Sequence, residues 1–197
     1  GGILRMRKVK ERTSQMNGKI VLVSGATNGI WKVTAFELAK MGATVVLVGR
    51  NPQKTEAVRQ EMESGLQGSG KLDSIIADLS SLAGMRSAAE TFLAKYDHLD
   101  VLVNNAGGFF SNRLESADGF EMTFALNHLN YFYLTGLLLD VLKRSAPARI
   151  VNVSSVAHYG WHINFNDLQR EKTYSGWQVY SESKLMNIYF TRELAKR

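Results

Sequence analysis

The segment VYSESK places Tyr180 and Lys184 four residues apart, so on a helix the two side chains share one face. A lysine ammonium beside a phenol favours the phenolate and draws the tyrosine pKa down from about 10. A tyrosine tuned that way can give a proton to, or take one from, an alcohol–carbonyl pair. Taken alone, the same spacing is also that of an incidental helical pair. RIVNVSS ends an apolar run in two hydroxyls, Ser154 and Ser155, and Ser155 is placed to hydrogen-bond a carbonyl oxygen. Asn127, in FALNHLNYF, is either a brace for the lysine or a water, or a buried amide bonded locally.

A second set of residues points to a nucleotide. KIVLVSGATNGIW runs from an apolar strand into Gly25 and then Gly29 at a helix start. Gly25 permits a tight turn, and Gly29 lets the backbone approach a pyrophosphate at the helix N-terminus. The spacing is Gly-x-x-x-Gly-x-Trp, so the three-glycine dinucleotide fingerprint is incomplete at Trp31, and such turns also use glycine for structure alone. The second apolar run ends in Gly49-Arg50, where an acid would favour NAD. A guanidinium there suits a 2′-phosphate, which predicts NADP over NAD. Asp78, in ADLS, is placed either to bond an adenine amino group or, like Ser80, to cap a helix. VLVNNAG offers two amides and two small residues, Asn104 to Gly107, over which a flat ligand can approach the backbone.

The elements that must position these residues alternate. Strands are predicted at Ile20–Val23, Thr44–Val48, Ser74–Ala77, Val101–Val103 and Arg149–Val153, separated by helix-period segments such as GIWKVTAFELAKMG, NPQKTEAVRQEMES and SSLAGMRSAAETFLAKY. Asn51 before Pro52 reads as a helix cap with proline at the first helical position, and SGLQGSG as a helix-ending loop. Such alternation implies an α/β fold, a doubly wound parallel sheet with right-handed crossovers. Strand order 3-2-1-4-5 would put a switch point between the first and fourth strands, with the ligand at their carboxyl ends.

The chain has 197 residues, 45% of them hydrophobic, enough for one globular α/β domain rather than a disordered chain. There is no cysteine, so disulfides, thiolate metal sites and a cysteine nucleophile are excluded. His98, His128, His158 and His162 form no metal-ligand grouping in the sequence, so no metal is expected. No apolar run approaches the roughly 18 residues needed to span a membrane. The net charge is +6, of which the five bases and one acid of RMRKVKER contribute +4. Residues 1–15 are therefore expected to be a basic tail, disordered or non-native, with Met16 a sensible natural start and no nucleic-acid partner expected.

Together these motifs resemble the short-chain dehydrogenase/reductase family, from Met16 to Arg197. SGATNGI, ADLS, NNAG, LNHLNYF, IVNVSS and Tyr-x-x-x-Lys occur in the family's order, and the later segments look most like its retinol-dehydrogenase-like branch. The resemblance implies a Rossmann fold and reversible hydride transfer between NADP(H) and an alcohol or carbonyl substrate, lipophilic substrates included. It implies Tyr180 as acid/base, Ser155 as the group that polarises the substrate oxygen, Lys184 on the nicotinamide ribose, and Asn127 supporting a proton relay. It carries cofactor binding to Gly25, Thr27, Asn28, Gly29, Ile30, Arg50, Asp78, Leu79, Asn104, Ala106 and Gly107, with Tyr180 and Lys184. It also implies a homodimer, and a cytoplasmic location unless a lost upstream anchor holds the protein to a cytosol-facing membrane.

Two departures qualify that expectation. Trp31 stands where the family has glycine, so the indole should overpack the helix–strand contact at about 1–3 kcal/mol, or push the helix outward, and weaken cofactor binding. The family pattern also continues beyond Arg197 with further strands and a substrate-covering segment, so a C-terminally truncated Rossmann domain is expected. The rival expectation is a catalytically impaired module that binds a nucleotide or a protein partner without turnover.

Overall fold

The computed structural model describes residues 16–197, and the basic tail expected over residues 1–15 lies outside the described residues. Five parallel strands form one sheet in the order β3-β2-β1-β4-β5. They are β1 (Ile20–Ser24), β2 (Thr44–Gly49), β3 (Lys71–Ile76), β4 (Val101–Asn104) and β5 (Arg149–Asn152). The helices are α1 (Gly29–Lys40), α2 (Pro52–Gly65), α3 (Leu82–Lys95), α4 (Met122–Phe124), α5 (Asn130–Arg144) and α6 (Gly176–Leu194).

Alternate strand residues feed opposite faces of the sheet, as the period-2 geometry of a strand requires. Leu22, Val46, Val48 and Ile75 pack with Met85 and Phe92 of α3 and Leu134 and Leu138 of α5. Val21, Val23, Val45 and Leu47 pack on the other face with Ala35 and Ala39 of α1 and Val58 and Met62 of α2. The expected β3 begins at Ser74, but the observed strand starts at Lys71, which pairs with Thr44. β3 is an edge strand, and its exposed Lys71 and half-buried Asp73 interrupt the apolar run that marks the inner strands.

Local capping sets where the crossovers begin. Asn51 caps α2 through its Oδ1, which accepts the Lys54 N–H at 2.8 Å, with Pro52 at the first position. α3 is capped by Ser81, whose Oγ accepts the Gly84 N–H at 3.1 Å, rather than by Asp78 or Ser80. Between α4 and α5 the helix widens into one π-turn, Ala125–Leu129, a device that re-aims side chains inside a helix. At the other end of the sheet, Asp100 accepts from Lys19 Nζ at 2.7 Å and from the Ile20 N–H at 2.8 Å, tying the start of β1 to that of β4.

Candidate active site

The carboxyl ends of β1 to β4 open into a cleft of about 460 Å³. The turn after β1 contributes Gly25, Thr27 and Asn28, β2 ends in Gly49 and is followed by Arg50, and β3 leads into Asp78 and Leu79. Asn105, Ala106 and Gly107 after β4 close the opposite side. Gly25 has φ +70°, and a Cβ there would lie 2.7 Å from the Ala106 Cα, so only glycine lets these two loops touch. Ser24 Oγ accepts the N–H groups of Asn105 and Ala106 at 2.9 and 3.0 Å. Asn105 Nδ2 donates to the carbonyls of Ser24 and Gly25 at 2.9 and 3.2 Å. The glycine turn and the β4 loop are thereby one hydrogen-bonded unit.

Asn28, at the start of α1, makes no side-chain capping bond, and the first turn of that helix holds no acid. Its free amides and positive dipole end suit an anion. The exposed Arg50 lies in the same cleft, and Asp78 spends only Oδ1 on the Ser80 N–H and hydroxyl, at 3.0 and 2.7 Å. Uncapped amides, a guanidinium and a glycine-lined floor fit a phosphate-bearing dinucleotide. Gly29 and Ile30 fall outside the lining: they form the first turn of α1, with Ile30 76% exposed.

Two expectations for this lobe change. Asn104, expected on the ligand, is fully buried, and its Nδ2 joins Thr135 at 2.9 Å and Asn152 at 2.8 Å. Because side chains alternate along a strand, it points into the protein while Asn105 faces the cleft. The Trp31 indole does not lift α1 away, since Ala35 and Ala39 remain fully buried against the sheet. Instead it lies half-buried against the apolar cluster on that face and forms part of the cleft wall.

The cleft continues into a second lobe of about 560 Å³ that holds Ser155, Tyr180 and Lys184 on one wall system. Lys184 Nζ sits 5.5 Å from the Tyr180 ring centre and 5.8 Å from that of Tyr131, and donates to the Val153 carbonyl at 3.3 Å. Burial pushes the Lys184 pKa down to about 8, because the ammonium is largely removed from water. Phe109 and Trp177 flank the Tyr180 ring, with ring centres 6.1 and 6.2 Å away. The two serines divide their work. Ser154 donates to the Lys184 carbonyl at 2.8 Å and so anchors α6, whereas Ser155 accepts the Ala157 N–H at 3.2 Å and keeps its proton for the lobe.

Asn127 is fully buried and lines neither lobe. The π-turn aims it at the β4 loop, where its Oδ1 accepts the Gly108 N–H at 2.8 Å. Its Nδ2 donates to the Gly108 carbonyl at 3.0 Å and to Ser183 Oγ at 3.2 Å. It therefore binds the floor of the cleft to α6 without reaching Lys184. The residue nearest that task is Asn187, whose Nδ2 reaches the Asn127 carbonyl at 2.9 Å and the Val153 carbonyl at 3.4 Å. Asn187 lies one helical turn after Lys184, within sequence reach of the Tyr180–Lys184 face, and that spacing was its only signal. His128 Nδ1 lies 3.0 Å from Asn187 Oδ1, and burial pushes its pKa down. Tyr159 and its neighbour His158 line neither lobe, and Tyr159 is 72% exposed. Among the described residues no cluster of histidine, aspartate and glutamate could hold a metal, and no helix is long and apolar enough to cross a membrane.

Residues 19–197 match the family described as short chain dehydrogenase, and the chain belongs to that family. It is 49% identical to retinol dehydrogenase 11 of Homo sapiens over 94% of this chain, and 44% identical to retinol dehydrogenase 14 of Homo sapiens over 92%. It spans 58% of the length of each of those relatives. Among solved structures, an uncharacterized protein from Mycobacterium Paratuberculosis superposes with a TM-score of 0.80 at 37% identity, covering 94% of this chain and 64% of that one. The Pseudomonas aeruginosa RhlG/NADP active-site complex superposes with a TM-score of 0.75 at 32% identity, covering 94% and 68%. The doubly wound fold is thus that of the family.

Proposed function

We propose that the protein is an NADP(H)-dependent oxidoreductase acting on an alcohol–carbonyl pair. The observation that carries this reading is that two adjoining lobes share the loop Asn105, Gly107 and Gly108, one lobe lined by Gly25, Arg50 and Asp78 and the other by Ser155, Tyr180 and Lys184. Bound there, the nicotinamide cofactor supplies or accepts the hydride. Arg50 would meet the 2′-phosphate, the amides of the α1 turn the diphosphate, and Asp78 the adenine.

In the second lobe Ser155 holds the substrate oxygen by donating its proton into a hydrogen bond. Tyr180 gives its phenolic proton to that oxygen in reduction and takes it back in oxidation. Lys184 supplies positive charge beside the Tyr180 ring and, being held by Val153, stays within the lobe. Asn127 and Asn187 keep α6 in register with the floor of the cleft. Phe109 and Trp177, 54% and 55% exposed at the rim, support a lipophilic substrate, in line with relatives named as retinol dehydrogenases. Phe132 and Tyr189, 56% and 49% exposed on α5 and α6, support a homodimer through those helices. The location we propose is the cytoplasm or the cytosolic face of a membrane, with which a chain free of cysteine is compatible. Family membership and an intact Ser155–Tyr180–Lys184 set favour an enzyme over a module that only binds.

The test is NADPH consumption with a series of aldehydes from short aliphatic to retinal, for wild type and Tyr180→Phe. Turnover should rise with chain length and fall by at least about 100-fold in the variant, the usual weight of a positioned acid, while NADPH binding persists. Equal turnover by Tyr180→Phe would remove Tyr180 from the chemistry.

A further inference from the structure

The two lobes share four lining residues, Trp31, Asn105, Gly107 and Gly108. Two of these have no side chain, and the Asn105 amide is engaged by the carbonyls of Ser24 and Gly25. Among the described residues the indole is therefore the one large side chain that lines both lobes. It is also not free to leave. It packs, partly buried, against the apolar cluster on that face of the sheet, so swinging it out would expose apolar surface to water.

We propose that Trp31 divides the cleft into two chambers and thereby sets the affinity for a ligand that must span both, while leaving the first chamber open to an adenosine phosphate alone. This rests on the dinucleotide reading above. Arg50, Asp78 and Leu79 lie wholly in the first chamber, and Ser155, Tyr180 and Lys184 wholly in the second. A whole NADPH reaches from one group to the other and must pass the indole. Adenosine 2′,5′-bisphosphate needs only that first group and the turn before α1, whose Gly25, Thr27 and Asn28 also lie wholly in the first chamber. The indole thus acts as a specificity-determining residue that discriminates by ligand length rather than by chemistry.

Calorimetric titration of wild type, Trp31→Ala and Trp31→Phe with NADPH and with adenosine 2′,5′-bisphosphate tests this. Trp31→Ala should bind NADPH about tenfold or more tightly than wild type, and Trp31→Phe, with its smaller ring, about threefold. All three should bind the bisphosphate within about twofold of one another. If Trp31→Ala does not melt cooperatively, the Trp31→Phe comparison carries the same test. NADPH affinity that is unchanged or weakened by the substitutions overturns the proposal, because the indole would then be neutral or a stacking platform. An equal gain for both ligands also overturns it, since the indole would crowd the whole site, yet the dinucleotide reading would stand. If well-folded samples of all three bind neither ligand, the dinucleotide reading falls and the partition with it.

Discussion

Lys184 is only 4% exposed, and its one hydrogen-bond partner is the Val153 carbonyl at 3.3 Å. Burial pushes its pKa down to about 8 from the ordinary 10.5. Below pH 8 both the folded and the unfolded chain hold the proton, so the folded state carries the full cost of a buried charge. Between about pH 8 and 10.5 the unfolded chain binds more protons than the folded one, and stability should rise with pH. At about 1.4 kcal/mol per pKa unit, the cost at pH 7 is about 3 kcal/mol. Lys184→Met keeps the length and apolar stem and removes the charge. Loss of the Val153 bond and imperfect repacking of the methionine offset part of the gain. The variant should therefore be about 1–3 kcal/mol more stable than wild type at pH 7, with a midpoint several degrees higher. Urea denaturation of both proteins at pH 7, 8, 9 and 10 measures the difference and its decline above pH 8. A variant less stable than wild type at pH 7, or a difference that does not shrink with pH, would refute the account of Lys184 as a desolvated cation. A confirmed gain would mean that the site keeps this lysine at the expense of stability.

Two further outcomes follow from other contacts. Arg50→Ala should weaken binding of adenosine 2′,5′-bisphosphate by about tenfold or more, the loss of one charge-assisted contact, and leave NADH binding unchanged. An equal loss for both ligands in calorimetry would assign Arg50 to the diphosphate instead. Arg170, buried with φ +52°, pairs with the buried Glu182 of α6, which also accepts Gln178 Nε2 at 3.0 Å. Glu182→Gln should cost about 3–5 kcal/mol by stranding the guanidinium, while Arg170→Met with Glu182→Leu should recover most of it. Chemical denaturation of the single and double variants decides this, and a cost below about 1 kcal/mol for the single change would show that the pair does not secure α6.

Much of the fold was legible because its signals are local. β1, β2 and β4 are apolar runs buried on both faces, so their positions stood out, and the Asn51-Pro52 cap announced α2. The start of β3 was not legible, because an edge strand tolerates Lys71 and Asp73 and loses the pattern. Asn104 and Asn105 show the same limit at the site. Both are amides at a strand end, and only the phase of the strand decides that Asn104 bridges to Thr135 and Asn152 while Asn105 faces the cleft. The π-turn likewise has no apolar period of its own, so the direction of Asn127 could not be read in advance.

Residue type and spacing along the chain were enough to determine the α/β alternation, the glycine turn, and a Tyr180–Lys184 face on one helix, whereas the 3-2-1-4-5 order was one of several that alternation allows. Each depends on neighbours within a few residues, or on the handedness of crossovers, which general backbone geometry supplies. Which of two adjacent serines is free, whether the lysine is desolvated, and where an oversized indole goes depend on groups brought together from distant segments. Ser154 is occupied only because the Lys184 carbonyl lies 30 residues away in sequence and 2.8 Å away in space. Trp31 reads in the sequence as overpacking the contact between α1 and β1, but in the fold it lies half-buried beside the sheet and lines both lobes of the cleft. Those outcomes are set by excluded volume and burial, which exist only once the chain has folded.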